Sequence, residues 1–383
     1  MRIITLFKKE KKNGIESILI YACFYPGNAG YHYRAEKWAE LWRANGIRVK
    51  ILYTSDHQKV TKLTSGPDLI LYHINNMSVR LIQVLRSLLY DQVIVRRSLL
   101  RHYDYGRLYM EKLLLSIHPG AILDFDDDLT NNLSRIPKTS VFGKLMQEDR
   151  FIFYRTLKLY KRFIPGSEYL AILLKNINPR VDIHDYCIVP TSVDYFKRGL
   201  KKYPKKQDVI TFGWIGSNSN QVQLNKLIAP LNELSKKKKM ELLVISGQEF
   251  QHEKAKFPIR NETWSLQSEI TSLLQIDIGL MPLDNDKMSR AKCGFKLIQY
   301  MGLGIISIAS AVTTNNRIIK NEEDGFLVTD DDKWYERLVE VCNRYNEFTE
   351  ISERARQKIL KEYSFGAHLD TYSRFIGIQT KIS

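Results

Sequence analysis

Two lysines flank a glycine at the point where a helix is predicted to begin. The order is Lys292-Cys293-Gly294-Phe295-Lys296, and apolar residues at helical spacing predict a helix from Phe295 to Gly302. Apolar runs at 276–282 and 305–309 predict buried parallel strands on either side. The first N–H groups of a helix have no partner within it and attract anions. The segment therefore predicts a phosphate site served by Lys292 and Lys296. A plain core helix would explain only its apolar residues.

A second glycine turn lies earlier in the chain, after the strand predicted at 209–215. Gly216 permits a close approach of the backbone, and Ser217 and Asn218 follow it. Small polar side chains can donate hydrogen bonds to phosphate oxygens or cap the next helix. Both roles remain open for this loop.

The same order of strand, turn and helix is predicted near the start of the chain. A strand at 17–23 leads into Gly27, Asn28 and Gly30, and a helix at 31–44 carries Arg34. This order opens a doubly wound domain, in which ligands bind at the carboxyl ends of strands. A purely structural turn would explain the glycines equally well.

Charged residues follow two further predicted strands. Arg96 and Arg97 follow a strand at 92–95 and form either a solvated face or a pocket for an anionic acceptor. The carboxylates of Asp124 and Asp126–Asp128 follow an apolar run that starts at 121. They predict either a clamp for Mg²⁺ or Mn²⁺ or a loop that lines a ligand cleft. Strands are also predicted at 47–53 and 68–73, with a helix at 79–90.

The composition is that of a folded chain with room for two sizeable domains. The sequence has 383 residues, of which 44% are hydrophobic and 26% charged. Its four cysteines are far apart and lack metal-ligand spacing, which favours a reducing compartment over a disulfide framework. Neither a signal peptide nor a membrane-spanning run is recognisable, so we expect a cytoplasmic protein.

The net charge of +16 calls for an anionic partner. No helix-turn-helix, zinc-finger or RNA-binding signature accompanies the basic residues, so we expect no nucleic acid. A peripheral contact with an anionic membrane that carries a lipid-linked acceptor fits better, at the inner face of the cytoplasmic membrane. The aromatic, basic stretch 145–163 is either such an interfacial helix or a helix that packs on the sheet.

The segment 289–310 resembles the donor-binding segment of the family 4 glycosyltransferases, also called group 1 glycosyltransferases. The similar branch has the motif Lys-Cys-Gly-(Phe/Tyr)-Lys-Leu-(Leu/Ile)-(Glu/Gln)-Tyr-Met. Residues 188–194 resemble the family's Pro-(Asn/Thr)-Gly-Val-Asp signature, with Ser192 in place of glycine, and 325–328 resemble its Asn-Gly-(Phe/Leu)-Leu strand.

The resemblance implies an α/β protein with the GT-B fold, in which two Rossmann-like doubly wound domains face a cleft. We expect an acceptor-side domain at 1–197 and a nucleotide-sugar donor domain at 198–364, joined by a linker at 198–206. A helix in 365–383 is expected to cross back to the first domain.

The family's activity is the transfer of a sugar from a nucleotide-sugar donor, with retention at the anomeric carbon. Here the acceptor would be a glycan or lipid, in bacterial surface polysaccharide or glycoconjugate synthesis, and no metal cofactor is expected. Lys292 and Lys296 would stabilise the departing diphosphate, and Asp126 would contact a donor or acceptor hydroxyl. Donor contacts are expected from Gly216, Ser217, Asn218, Gly294, Phe295 and Gln299, and donor-phosphate or acceptor contacts from Gly27, Asn28, Gly30, Arg34 and Arg97.

The sequence departs from the family at two glutamates eight positions apart, which fall at Ala291 and Gln299. A glutamine can still bind ribose hydroxyls, whereas the side chain of Ala291 cannot bind a sugar hydroxyl. The Arg and Lys that many members carry ahead of this segment have no clear match. A catalytically inactive relative that binds nucleotide as a sensor or scaffold is therefore the alternative.

Overall fold

A computed structural model describes residues 14–23, 25–53, 66–100, 107–129, 150–195, 199–203 and 208–379. The chain forms two compact units. Unit 1 runs to Thr191 and resumes at His368, and unit 2 is Ser192–Ala367. These divisions lie a few residues from the boundaries expected at 197 and 364. The predicted linker at 198–206 lies partly outside the described residues.

The described part of unit 1 contains a parallel sheet of five strands in the order β2-β1-β3-β4-β5. The strands are β1 (Ser17–Tyr21), β2 (Arg48–Leu52), β3 (Gln92–Arg96), β4 (Ile122–Phe125) and β5 (Arg162–Pro165). The order reverses direction between β1 and β3, which makes their carboxyl ends a topological switch point. Four of the strands match the predicted ones, whereas β5 was not predicted and overlaps the end of the stretch 145–163 that was predicted as helical.

The described part of unit 1 also contains six α-helices, and a π-helical turn lies between the first two. The helices are α1 (Ala29–Tyr31), α2 (Lys37–Ala44), α3 (Gly66–Arg86), α4 (Tyr109–Ile117), α5 (Arg150–Leu159) and α6 (Glu168–Ile177). The π-helical turn His32–Glu36 joins α1 to α2 without a break. Short 3₁₀ helices lie at Ser87–Leu89 and Ile183–Asp185.

The strand predicted at 68–73 is wrong, because these residues belong to α3. A short apolar run fits a buried strand and a helical segment equally well. Pro67 and Asp68 lie in the first turn of α3, where a proline and a carboxylate both favour a helix.

Unit 2 contains a parallel sheet in which the described residues form six strands, in the order β11-β10-β9-β6-β7-β8. The strands are β6 (Ile210–Ile215), β7 (Met240–Ser246), β8 (Ile259–Thr263), β9 (Ile278–Met281), β10 (Ile306–Ser310) and β11 (Phe326–Val328). This is the doubly wound order in which the first and fourth strands, here β6 and β9, are neighbours at the switch point. Five of these strands were predicted, and the partly exposed edge strand β8 was not.

Unit 2 has a hydrophobic core that includes Trp214 and Trp334, and its described residues form seven helices. They are α7 (Ile228–Ser235), α8 (Glu269–Leu273), α9 (Lys287–Arg290), α10 (Phe295–Gly302), α11 (Asn315–Ile318), α12 (Trp334–Asn343) and α13 (Phe348–Glu362). The 3₁₀ helices are Asn218–Leu227, Asp331–Lys333 and Tyr345–Glu347.

The last helix, α14 (Phe365–Ile376), begins in unit 2, and its residues from His368 onward belong to unit 1. This is the predicted crossover. In the ranges that the structure describes, a helix both long and apolar enough to cross a membrane does not occur.

Candidate functional site

The loop after β6 meets the start of α10 at the carboxyl edge of the unit 2 sheet. Strands β6 and β9 lie side by side there, with Gly213 opposite Gly279. A Cβ atom added to Gly216 would lie 2.5 Å from the Trp214 ring and 3.0 Å from Cε of Lys296. Two motifs far apart in the sequence are thereby brought into contact at the switch point.

The side chain of Lys296 lies over the indole of Trp214. Its Nζ is 5.0 Å from the ring centroid, a distance at which a cation is attracted to the aromatic face. Trp214 is fully buried and Lys296 only partly so, which lets a rigid ring support a charge that solvent can reach. Trp214 was not predicted as a site residue. The sequence did carry a signal for it, because it is an aromatic residue two positions before the loop glycine Gly216.

Amide side chains of the 3₁₀ helix Asn218–Leu227 contact the other lysine. Nζ of Lys292 donates to Oδ1 of Asn220 at 3.0 Å. With its amide oxygen turned toward the lysine, Gln223 accepts a second bond at 2.8 Å and donates to the Pro282 carbonyl at 3.2 Å. Amide acceptors orient an ammonium group without cancelling its charge. Asn220 and Gln223 were not predicted, because short polar residues in a loop carry no distinct pattern.

The start of α10 depends on a glycine in a left-handed conformation. Gly294 has φ of 70°, and a Cβ atom there would lie 2.2 Å from Cδ1 of Ile318. Glycine alone adopts that conformation without strain. The first residue of the helix is Phe295, which is a partly exposed residue.

Tyr300 ties α10 to the end of β6. The N–H of Ile215 donates to the Tyr300 hydroxyl at 3.0 Å, and a Cβ atom on Gly279 would lie 2.5 Å from the same ring. Burial raises the pKa of Tyr300, and its bond to Ile215 acts in the opposite direction. The strand end that carries Gly216 is therefore held by the helix that carries Lys296.

The predicted loop residues Ser217 and Asn218 are exposed beside this site. The Ser246 hydroxyl donates to the Gly216 carbonyl at 2.9 Å and lies 3.0 Å from Oδ1 of Asn218. Asn220 donates to the Ser217 hydroxyl at 2.7 Å. These bonds give the loop a fixed shape. Contacts of Gly216, Ser217 and Asn218 with a donor stay a prediction.

Gln299 lies in a buried chain of hydrogen bonds. Its side chain is 2% exposed, and Nε2 donates to the Tyr195 hydroxyl at 3.2 Å. The Tyr195 hydroxyl donates to the Glu269 carboxylate at 3.1 Å. Glu269 also accepts a bond from the Trp264 indole at 2.9 Å. Ala291 is buried as well. The role of Gln299 toward a ribose stays a prediction.

A cluster of three arginines and three aspartates lies at the carboxyl ends of β3 and β4 in unit 1. Both Arg34 and Arg96 bind the buried carboxylate of Asp124, the latter at 2.9 Å. We refer to the set as the Arg–Asp cluster: its members are Arg34, Arg96, Arg97, Asp124, Asp126 and Asp127.

The predicted site residues Asp126 and Arg97 are bonded to each other in this cluster, at 2.9 Å. Arg96 holds the other Asp126 oxygen at 2.6 Å, and Arg97 also reaches Asp127 at 3.1 Å. Burial alone would raise the pKa of Asp126, but these two arginines hold that pKa well below its usual value of 3.8. The contact of Asp126 with a hydroxyl stays a prediction, and it would involve an ionised carboxylate.

The other predicted residues of unit 1 surround the same sheet edge. Arg34 is buried and also donates to the Val189 carbonyl at 2.5 Å. Asn28 caps α1 through a bond from Gly30 N at 2.8 Å, and Gly27 has φ of 91°. The turn thus has a structural role, and its predicted ligand contacts remain predictions.

Asp126 and Asp127, which follow β4, are bound to arginines, as is Asp124 within β4. Among the side chains that the structure describes, no group of three or more His, Cys, Asp or Glu is arranged to hold a metal ion. The expectation that no metal is needed stays a prediction.

Comparison with known proteins identifies the fold. No family model and no curated protein matches the chain. Sucrose-phosphate synthase from Thermosynechococcus elongatus superposes with a TM-score of 0.66 at 10% identity, covering 94% of this chain and 98% of that one. A glycosyltransferase from Rickettsia africae gives 0.64 at 14% identity over 96% and 99%. Anabaena HepE in complex with UDP-glucose gives 0.59 at 10% identity over 94% and 98%. The chain therefore has the GT-B fold.

Proposed function

We propose that this protein is a glycosyltransferase that takes its sugar from a nucleotide-sugar donor bound by unit 2. One observation carries the proposal: Gly216 and Lys296 are in contact at the switch point of a doubly wound sheet, with Lys292 held beside the same loop. This is where such sheets bind phosphorylated ligands. The solved complex of a protein of this fold with UDP-glucose supports the class of donor.

Lys292 and Lys296 would act on the leaving nucleoside diphosphate. As the bond between sugar and phosphate breaks, negative charge grows on the diphosphate oxygens, and fixed cations stabilise that charge most. Trp214 and Asn220 would keep the two ammonium groups in place before the reaction. With the lysines in this role, transfer would need no metal ion.

The finer parts of the proposal rest on the resemblance at 289–310. We infer retention at the anomeric carbon and a glycan or lipid-linked acceptor, in bacterial surface polysaccharide or glycoconjugate synthesis. We place the reaction in the cytoplasm, at the membrane face. The acceptor would bind in unit 1 near Gly27, Asn28, Gly30 and the Arg–Asp cluster. The division of labour between the domains expected at 1–197 and 198–364 belongs to the same proposal.

A second candidate is an inactive relative that binds nucleotide as a sensor or scaffold. Ala291 and Gln299 favour it, because neither offers a carboxylate where the family motif has one, and the Gln299 amide is bonded to Tyr195. Binding of nucleotide without turnover is its signature.

Thermal unfolding with UDP, GDP, ADP, CDP or dTDP, each with magnesium or with chelator, is the first test. Ligand at about a hundred times its dissociation constant adds about 2.7 kcal/mol to the stability of the folded state. We expect one base to raise the melting temperature equally in both conditions. A shift that requires magnesium would contradict the metal-free site, and no shift with any nucleotide would overturn both candidates.

Turnover separates the two candidates. We expect nucleoside diphosphate release from one nucleotide sugar in the presence of an acceptor extract, and a decrease of about a hundredfold in Lys296→Ala. Lys320→Ala is the matched control, since Lys320 is an exposed lysine of unit 2 paired with Glu323. Nucleotide binding without release of nucleoside diphosphate would leave only the second candidate, the sensor or scaffold. The anomeric configuration of the product, read by NMR, tests retention.

A further inference from the structure

Helix α3 presents its apolar residues to solvent. Eight large side chains of α3 and the 3₁₀ turn after it are between 37% and 68% exposed. By helical spacing they fall on one side of the helix, over a length of about 27 Å. We call this set the α3 stripe: Leu71, Ile74, Met77, Leu81, Ile82, Leu85, Leu88 and Leu89.

The opposite side of α3 is buried, and beside Val84 it carries polar side chains. Asn76, Arg80 and Gln83 are all less than a tenth exposed. Arg80 donates to Gln83 at 2.7 Å and lies over the Tyr21 ring of β1, 5.0 Å from its centroid. A helix that only covered the sheet would bury its apolar side instead. The orientation of α3 therefore leaves an apolar surface exposed among the described residues, and surfaces of this kind mark interaction sites.

Basic residues border one end of the stripe. Arg48 on the edge strand β2 is exposed, donates to the Leu89 carbonyl at 2.9 Å and lies 5.2 Å from the centroid of Tyr90. Lys50 is exposed two residues further along β2, and Arg86 is exposed in the last turn of α3. An apolar stripe with cations and a tyrosine at its border matches the boundary between acyl chains and anionic headgroups.

We propose that the α3 stripe docks on an anionic lipid bilayer, with α3 lying in the plane of the interface. Charge favours lipid over a second copy of the chain as the occupant, because two chains of +16 repel each other whereas anionic lipid attracts each of them. The proposal does not depend on the activity proposed above. The predicted stretch 145–163 lies partly outside the described residues, and its described part does not present an apolar surface of this kind, since α5 buries Ile152, Phe153 and Leu157.

Sedimentation of the whole protein with vesicles tests this surface. Vesicles of phosphatidylcholine mixed with phosphatidylglycerol should bind the protein, and pure phosphatidylcholine should bind it more weakly. The variant Ile74→Ser, Leu81→Ser, Leu85→Ser should lower the partition coefficient by at least about tenfold, because it removes apolar area that the lipid would bury. Arg48→Ala and Arg86→Ala should each lower it by about fivefold on the anionic vesicles.

Ile172→Ser is the matched control, because Ile172 is equally exposed on α6 of the same unit. It should leave vesicle binding unchanged. Circular dichroism melts of all variants check that the fold survives, which is expected for exposed positions. Failure of the wild type to bind anionic vesicles would overturn the proposal. An equal loss of binding in the control would do the same, as would a dimer in solution that only the stripe variant dissociates.

Discussion

The ammonium group of Lys296 lies 5.0 Å from the centre of the Trp214 ring, and Gly216 is the residue that lets the two side chains and the loop backbone meet. The indole is fully buried in the core of unit 2, so it cannot move with the lysine. The position of this charge at the switch point is therefore set by the core as much as by the loop.

Replacement of Trp214 by leucine should weaken nucleotide binding by more than the accompanying loss of folding stability would explain. A cation over an aromatic ring contributes about 0.5–2 kcal/mol, so we expect the affinity for the nucleoside diphosphate to fall several-fold. Calorimetric titration measures it. Trp334→Leu is the control, because Trp334 is an equally buried tryptophan of unit 2. Equal losses of affinity in both variants would show that Trp214 acts only through stability.

An alanine at position 216 should disturb the site although it adds only one carbon. That carbon would lie 2.5 Å from the rigid indole, and relief of such a clash costs about 1–3 kcal/mol. Urea unfolding should show this loss in Gly216→Ala. Gly120→Ala, where a Cβ atom meets nothing within 4 Å, should stay near the wild type. Wild-type stability in Gly216→Ala would contradict the close contact.

Tyr300→Phe removes a hydroxyl and leaves the buried N–H of Ile215 without its acceptor. An unsatisfied buried donor costs about 1–3 kcal/mol, and the strand end before Gly216 loses its tie to α10. We expect that loss in chemical unfolding. Tyr109→Phe, in which the hydroxyl lost binds the exposed Arg107, should cost much less. Equal costs would mean that the Tyr300 bond contributes no more than a surface bond.

Acid should destabilise the protein partly through Asp126. Its folded pKa lies below the unfolded value of 3.8, so its contribution is complete well above pH 4 and is lost as the pH falls toward the folded pKa. At neutral pH, Asp126→Asn should lower stability by about 2 kcal/mol, the worth of a charged hydrogen bond. Below about pH 4 its stability should fall less steeply with pH than that of the wild type.

The control for that measurement is Asp370→Asn, which removes an exposed carboxylate paired with Arg374 on the surface of α14. It should follow the wild type over the whole pH range. Parallel curves for Asp126→Asn and the wild type below pH 4 would contradict the role assigned to Asp126.

The sequence predicted best those elements whose patterns are local. α10 was predicted with its observed bounds, because Gly294 and Gly302 delimit a clear helical period, and most strands were buried apolar runs. The partly exposed β8 has a mixed pattern and was missed. The strand predicted at 68–73 failed because a short apolar run fits a buried strand and a helical segment equally well, and here the run belongs to α3.

The site was predictable as a set of separate motifs but not as a set of contacts. Lys296 and Gly216 were each predicted, whereas the indole between them depends on tertiary packing. Arg97 and Asp126 were each predicted to contact a ligand, and the structure pairs them with each other. Their pairing follows from the register of β3 and β4, in which Arg96 lies opposite Asp124. No single stretch of sequence contains that information.

Because of the π-helical turn His32–Glu36, unit 1 requires a fixed number of residues between α1 and α2, and not only particular side chains. The π-helical turn holds one residue more than a regular turn of about the same rise, so the helix before it and the helix after it differ in phase. Deletion of one residue there would restore a regular helix but would rotate one half against the other by about 100°. Either Arg34 would leave Asp124, or Trp38 and Trp42 would leave the core. Insertions and deletions that surface helices accept should therefore be excluded from this turn.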